Sequence, residues 1–224
     1  FRYHEDLERC RAALASGELG PVRFIEISAG MNISGQGTHI LDYGMSLNGD
    51  SPVTRVFGAA SGTRGLEGYH PAPDSTTACL VFENGARASW TNGPLAPRIG
   101  DPNTDWQHVR AAAYADHGRV EWQEFGEWAI VRPGREERGH FGGLEAWKAA
   151  NASAQAAFHE SMLDWIGDAS RVPGTNLAQS LHEWKAVLAL YASAVDRAPV
   201  ELAKFDPPDG IIQRLAEALA GPGA

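Results

Sequence analysis

Thr76-Thr77-Ala78-Cys79-Leu80-Val81-Phe82-Glu83-Asn84-Gly85-Ala86-Arg87-Ala88-Ser89-Trp90-Thr91 reads as a β-hairpin, and it sets the fold class. Asn84-Gly85 lies between two β-prone runs and supplies the two positive φ angles of a type I′ turn. A two-residue loop pairs Glu83 with Ala86. Counting back sets Val81 opposite Ala88 and Cys79 opposite Trp90 on one apolar face. The other face then holds Ala78, Leu80 and Phe82 opposite Thr91, Ser89 and Arg87, so it is half apolar. Antiparallel sheets commonly leave one face in water. Here neither face is polar throughout, which is unusual for such a sheet.

Working back from the hairpin, residues 53–60 read as a strand, ended upstream by Gly49-Asp50-Ser51-Pro52. A short helix is predicted over 39–47, reached through a glycine-rich loop at 30–37. Residues 22–29 form a strand apolar enough on both faces to lie inside a sheet. Leu7, Cys10 and Leu14 recur at helical spacing, and Ser16-Gly17 stops that first helix. Working forward, strands are predicted at 107–115, 119–123 and 127–131, with Arg135-Glu136-Glu137-Arg138 as a solvated turn. Trp147, Ala150, Ala154, Phe158, Met162 and Trp165 then mark a helix over 144–167 on the face opposite the hairpin's contact surface. A second helix spans 177–197, and 199–202 closes the sheet. Runs of strands followed by runs of helices predict an α+β domain, an open and mostly antiparallel sheet with helices on one face. The domain is drawn over 1–205, with 206–224 as a linker and a short amphipathic helix.

The 224 residues carry a net charge of -9, which argues against nucleic acid or an anionic membrane as partner, since both select clustered Lys and Arg. No stretch of about 18 apolar residues is present to span a bilayer. The opening residues are polar and charged, so the expectation is a cytoplasmic protein with Cys10 and Cys79 as buried free thiols. His159-Glu160 and His182-Glu183 each lack the second histidine of the zinc-protease motif, so no metal is expected. Gly35-Gln36-Gly37 lacks the third glycine and later acidic residue of a dinucleotide site. What survives is Gly35-Gln36-Gly37-Thr38-His39-Ile40-Leu41-Asp42, a glycine loop that delivers His39 to a helix N-terminus with Asp42 one turn on. A helix-start imidazole has a lowered pKa and, neutral near pH 7, can give or take a proton. On these residues alone, an acid-base histidine and a histidine that merely caps the helix both remain open.

Four stretches in order resemble the C-terminal domain of the Gfo/Idh/MocA oxidoreductases. Arg2-Tyr3-His4 through Gly17-Glu18-Leu19-Gly20-Pro21-Val22 resembles that domain's first helix and its "SGxLG" phrase. Gly35 to Asp42 resembles the "DQGxHxxD" site motif, and the hairpin resembles "f-x-NG-a". Ala192-Ser193-Ala194 through Pro199-Val200-Glu201-Leu202 resembles the closing helix and strand. The resemblance implies a GAPDH-like C-terminal domain whose N-terminal Rossmann domain is absent from this sequence. It also implies a homodimer through the sheet, a sugar-like substrate beside His39, and NAD or NADP in the full-length protein. No cofactor is expected to bind this chain alone. Gly35 departs from the family, which often has an acidic or amide residue there. Asp42, Tyr3, His70 and His140 are the further candidates for substrate contact. The function implied is the substrate-binding and oligomerisation half of a sugar or polyol dehydrogenase. The alternatives are a NAD-dependent glycosidase or lyase of the same fold, and a non-catalytic dimerisation or ligand-sensing module.

Overall fold

Helix α1 (Glu5–Ala15) leads into strand β1 (Val22–Ala29) in the computed structural model, which describes residues 2–98, 104–140 and 142–221. A π turn, Ile33–Gly37, runs into α2 (Thr38–Leu47), followed by the meander β2 (Val53–Ser61), β3 (Ser75–Phe82) and β4 (Arg87–Asn92). A second meander comprises β5 (Val109–Ala115), β6 (Gly118–Gln123), β7 (Glu127–Arg132) and β8 (Arg135–His140). Helices α3 (Gly143–Gly167) and α4 (Leu177–Asp196), the short strand β9 (Val200–Glu201) and α5 (Ile211–Ala220) complete the described chain. Among the described residues nine strands form one sheet, in the order β8-β7-β6-β5-β1-β4-β3-β2-β9. Only β1 and β4 pair in parallel; every other neighbour is antiparallel. The fold class is therefore the expected one. Strand β1 lies between the two meanders, with Ile25, Ile27 and Ala29 buried on one face and Phe24 exposed beside Glu26 on the other.

The hairpin forms, but one residue out of the expected register. Leu80 pairs with Ala88, Ala78 with Trp90 and Val81 with Arg87. The Phe82 N–H donates to the Ala86 carbonyl at 2.9 Å, and only Gly85 in the loop has a positive φ, at 87°. The loop thus has three residues, Glu83 to Gly85, with glycine at its left-handed end, a type common after two-residue turns. A slip of one residue exchanges the faces of a strand. The observed register places Leu80, Phe82, Ala88 and Trp90 in the core, each no more than 2% exposed. The expected one would have buried Cys79 and Val81 instead. Burying a large apolar side chain is worth about 1.5–3 kcal/mol each, more than one turn type gains over another. Cys79 is accordingly exposed rather than buried, while Cys10 is buried; both are free thiols.

Helices α1, α2 and α4 cover the face that carries Ile25, Ile27, Val56, Leu80 and Trp90. The opposite face is not half of a second core: it mixes Phe24, Phe57, Cys79 and Val81 with Arg55, Glu26, Ser89 and Thr91. Two elements differ from expectation. Residues Arg135 to Arg138 are not a turn but part of the edge strand β8, and Pro133-Gly134 makes the turn. Charged side chains of both signs on an outermost strand deter pairing with another sheet. Helix α3 does not cover the sheet; of its 25 residues only Ala154 is buried. It is held near its start by Trp147 and in its middle by Phe158 and Ser161 against Tyr3. Helix α5 packs on α4, and its Leu215 is fully buried in the same core as Leu190. The sequence-drawn boundary at 205 therefore separates a helix that shares that core. No helix of the described residues is long and apolar enough to cross a membrane.

Candidate functional site

A concave feature opens where β1 ends, β5 begins and β6 ends. Met31, Gly35, Gln36, His39, Ile40, Tyr43, Trp106, Val109, Glu124 and Trp147 line a cavity of about 240 Å³. Its floor is built by local backbone chemistry. The Gly30 N–H donates to the His108 carbonyl at 2.8 Å, and the Glu124 N–H donates to Val109 at 3.1 Å, which ties the three strand ends together. The Asn32 side chain then accepts from the Gly35 N–H at 2.9 Å and caps the π turn. A single widened turn of this kind is frequent at functional sites. Gly37 is required there, because a Cβ would collide with the side chain of buried Ile33. The expected glycine loop at 35–37 is thus already helical, and His39 sits in the first turn of α2 rather than at the start of helical structure.

His39 is exposed and lines the cavity. Its pKa is lowered chiefly by burial, with the Asp42 charge opposing. A ring set in a concave wall is surrounded by protein while solvent still reaches it, so exposure and the lowered pKa are compatible. Asp42 points elsewhere. Its carboxylate receives Arg2 Nε at 3.1 Å to each oxygen, and Arg2 Nη1 also reaches Asp50 at 2.8 Å. Arg2 and Asp42 are 4% and 9% exposed, so the pair is a buried structural clasp rather than a wall of the cavity. Glu183 of α4 lies beside it, its pKa pushed up to about 8 by burial and then by the Asp42 charge.

The other sequence candidates do not line this cavity. Tyr3 shares a hydrogen bond of 3.0 Å with Ser161. His70 is exposed and packs edge-on against Tyr69, with ring centroids 4.6 Å apart. His140 ends the edge strand β8, opposite Glu127. The structure instead brings in residues that the sequence reading had passed over. Glu124 is 5% exposed, accepts from the Trp147 indole N–H at 2.8 Å, and has its pKa raised to about 7 by burial, which the Trp147 bond only partly offsets. Trp147 stacks on Phe125 at 5.4 Å, and Trp106 stands edge-on to both. Gln36 donates from Nε2 to the Trp106 carbonyl at 2.7 Å, leaving its buried Oε1 without a hydrogen-bond partner. Trp147 was read only as part of a helical stripe, and nothing linear marks Glu124. It is placed by the turn after β6, 85 residues beyond His39.

No family profile and no curated protein matches the sequence. Solved structures do. An oxidoreductase from Agrobacterium radiobacter, in complex with NAD+, L-tartaric acid and magnesium, superposes with a TM-score of 0.69 at 18% identity, covering 91% of this chain and 63% of that one. An inositol dehydrogenase homologue from Azotobacter vinelandii, complexed with NAD+, gives 0.64 at 17% identity over 89% of this chain and 63% of its own. The fold is that of the Gfo/Idh/MocA-type oxidoreductases. It is not confined to proteins described as oxidoreductases: a super-repressor mutant of Gal80p from Saccharomyces cerevisiae matches at 0.65 and 12% identity, over 90% of this chain and 63% of that one.

This chain therefore spans less than two thirds of the length of these Gfo/Idh/MocA-type structures. Between β1 and α2, Gly35-Gln36-Gly37 lies in a π turn that Asn32 caps and lacks the third glycine of a dinucleotide-binding turn. Among the described residues no group of three or more His, Cys, Asp and Glu side chains is placed to hold a metal ion.

Proposed function

We propose that this chain is the substrate-binding and oligomerisation half of a NAD(P)-dependent sugar or polyol dehydrogenase. The observation that carries this reading is the cavity itself. It sets a histidine with lowered pKa beside aromatic walls and a buried carboxyl, at the strand ends of the fold these oxidoreductases share. A neutral imidazole there accepts the proton of a substrate hydroxyl as it is oxidised and returns it in the reverse direction. The nucleotide belongs to the part of the enzyme outside this sequence. The uncovered sheet face, with Phe24 and Phe57 at 38% and 50% exposure, is the surface for a two-fold partner. A non-catalytic ligand-sensing module is the second reading, favoured by Gly35 at the family's polar position and by the likeness to Gal80p.

In the enzyme assembled with its nucleotide-binding half, His39→Asn is expected to lower turnover about 100-fold, the scale of acid-base help. Its unfolding midpoint should hardly move, because the side chain is exposed. A variant that keeps full turnover would transfer the case to the sensing module.

A further inference from the structure

We propose that helices α2 and α4 are joined through a proton, which Glu183 keeps and donates to Asp42, and that the seat of α2 loosens as that proton is lost. Charge counting inside the core carries this. Asp42 and Glu183 are 9% and 6% exposed, and the buried cation beside them is Arg2, 4% exposed. Asp42 occupies it, since Arg2 Nε reaches both carboxylate oxygens at 3.1 Å. The other arm, Nη1, goes to Asp50 at 2.8 Å, whose side chain is 43% exposed and hydrated. One guanidinium thus faces two buried carboxyls. An ionised carboxylate out of water without its own cation is far less favourable than the neutral acid, so one of the two stays protonated.

The hydrogen-bond inventory selects Glu183. Its Oε1 accepts from Gln179 Nε2 at 3.3 Å, which leaves the second oxygen for another partner. Glu183 and Asp42 lie within hydrogen-bonding reach, and Asp42 Oδ2, used once by Arg2, has a lone pair to spare. Two carboxylates would both be acceptors; only the protonated acid can donate there. The next residue supplies no second cation. His182 Nε2 accepts the Val53 N–H at 3.0 Å, so the ring is neutral, and its pKa is lowered by burial and then by Lys185. Burial and then the Asp42 charge push Glu183 up to about 8, with Gln179 and Arg2 opposing.

Helix α2 packs on α4 and carries His39 three residues before Asp42. The proton therefore bears on the helix whose first turn lines the cavity. A glutamate freed into water ionises near pH 4.3, roughly, so opening the contact releases the proton anywhere between there and about pH 8. Opening is then favoured up to about tenfold per pH unit inside that window and levels off above it.

The test uses this chain labelled with carbon-13 at the glutamate side-chain carboxyls, Glu183 being the signal missing from Glu183→Gln. That carboxyl should titrate near pH 8, and in Asp42→Asn about two pH units lower or more, because Arg2 is then left to pair with it. A parent signal that titrates near about pH 4.3 overturns the retained proton. An unmoved alkaline titration in Asp42→Asn means that burial alone holds it, and overturns the bond to Asp42. Hydrogen exchange reads the loosening without the Asp42 variant. From pH 6 to 8, corrected for intrinsic rates, the amides of residues 41–47 should open about tenfold or more relative to those of β1 in the parent. In Glu183→Gln, whose side-chain amide donates at every pH, the change should stay within about threefold. Equal pH dependence in the two chains overturns the switch.

Discussion

Replacing Arg2 by methionine tests whether the opening segment is part of the fold or merely attached to it. Arg2 is 4% exposed, and its guanidinium is held by Asp42, 9% exposed, through both carboxylate oxygens. The guanidinium also lies against Gly174 in the connection between α3 and α4, where a Cβ would collide with it. Burial by itself lowers the pKa of this group; Asp42 first and Asp50 second reverse that and raise it. Methionine keeps most of the volume but leaves Asp42 buried without a cation, beside Glu183. Removing one partner of a buried pair costs about 3–5 kcal/mol. The Asp50 arm adds little, since its side chain is 43% exposed and screened. The expected loss is therefore about 3 kcal/mol, and at roughly 2–4 °C per kcal/mol for a chain of this size the midpoint falls by about 6–12 °C. Circular dichroism at neutral pH reads it. The double variant Arg2→Met with Asp42→Leu should recover more than half, because a buried pair replaced by apolar groups is close to neutral. A midpoint within about 2 °C of the parent for Arg2→Met alone would refute the clasp.

Three further outcomes are expected. Glu183 and Glu124 have their pKa raised to about 8 and about 7 by burial, so each holds its proton more tightly folded than unfolded, and the stability they add is lost as pH rises through those values. His4, lowered to about 4 chiefly by burial, acts oppositely, adding stability that is lost as pH falls below about 6.5. Denaturant melts should therefore show stability falling between about pH 6.5 and 8.5, and Glu183→Gln should flatten the slope; a flat parent profile in that window contradicts the buried carboxyls. Phe57→Arg places a charge on the uncovered sheet face and should give a monomer in sedimentation at tens of micromolar, where the proposed two-fold assembly predicts a dimer for the parent; a monomeric parent would end the case for that interface. Gly37→Ala forces a methyl against buried Ile33 and should cost about 1–3 kcal/mol in urea unfolding, and a neutral result would mean the π turn relaxes freely.

The first strand was legible to the residue, since an apolar run bounded by Pro21 and Gly30 has little freedom, and the long helices were legible from their spacing. The hairpin was visible from Asn84-Gly85, yet its register was not. Loop length depends on which face the core claims, and Phe82 with Trp90 outweighed the preferred turn. Strand β8 looked like a turn because its residues are charged, which is how an edge strand is protected. At the site, the motif around His39 was readable, but its expected partner was not. Positions three apart on a helix lie about 60° apart around its axis, enough for His39 to line the cavity while Asp42 turns inward to Arg2.

What the sequence determined by itself was therefore local and periodic: the elements other than β8, their order, the α+β class and one histidine beside glycine. What only the tertiary structure decided was which distant groups share a wall. Glu124, Trp106 and Trp147 come to His39 because β5 and β6 end beside β1, and because Trp147 fastens α3 there. Those positions are set by sheet register and by the burial of one face, which are properties of the whole core and leave no mark in the spacing of any single segment.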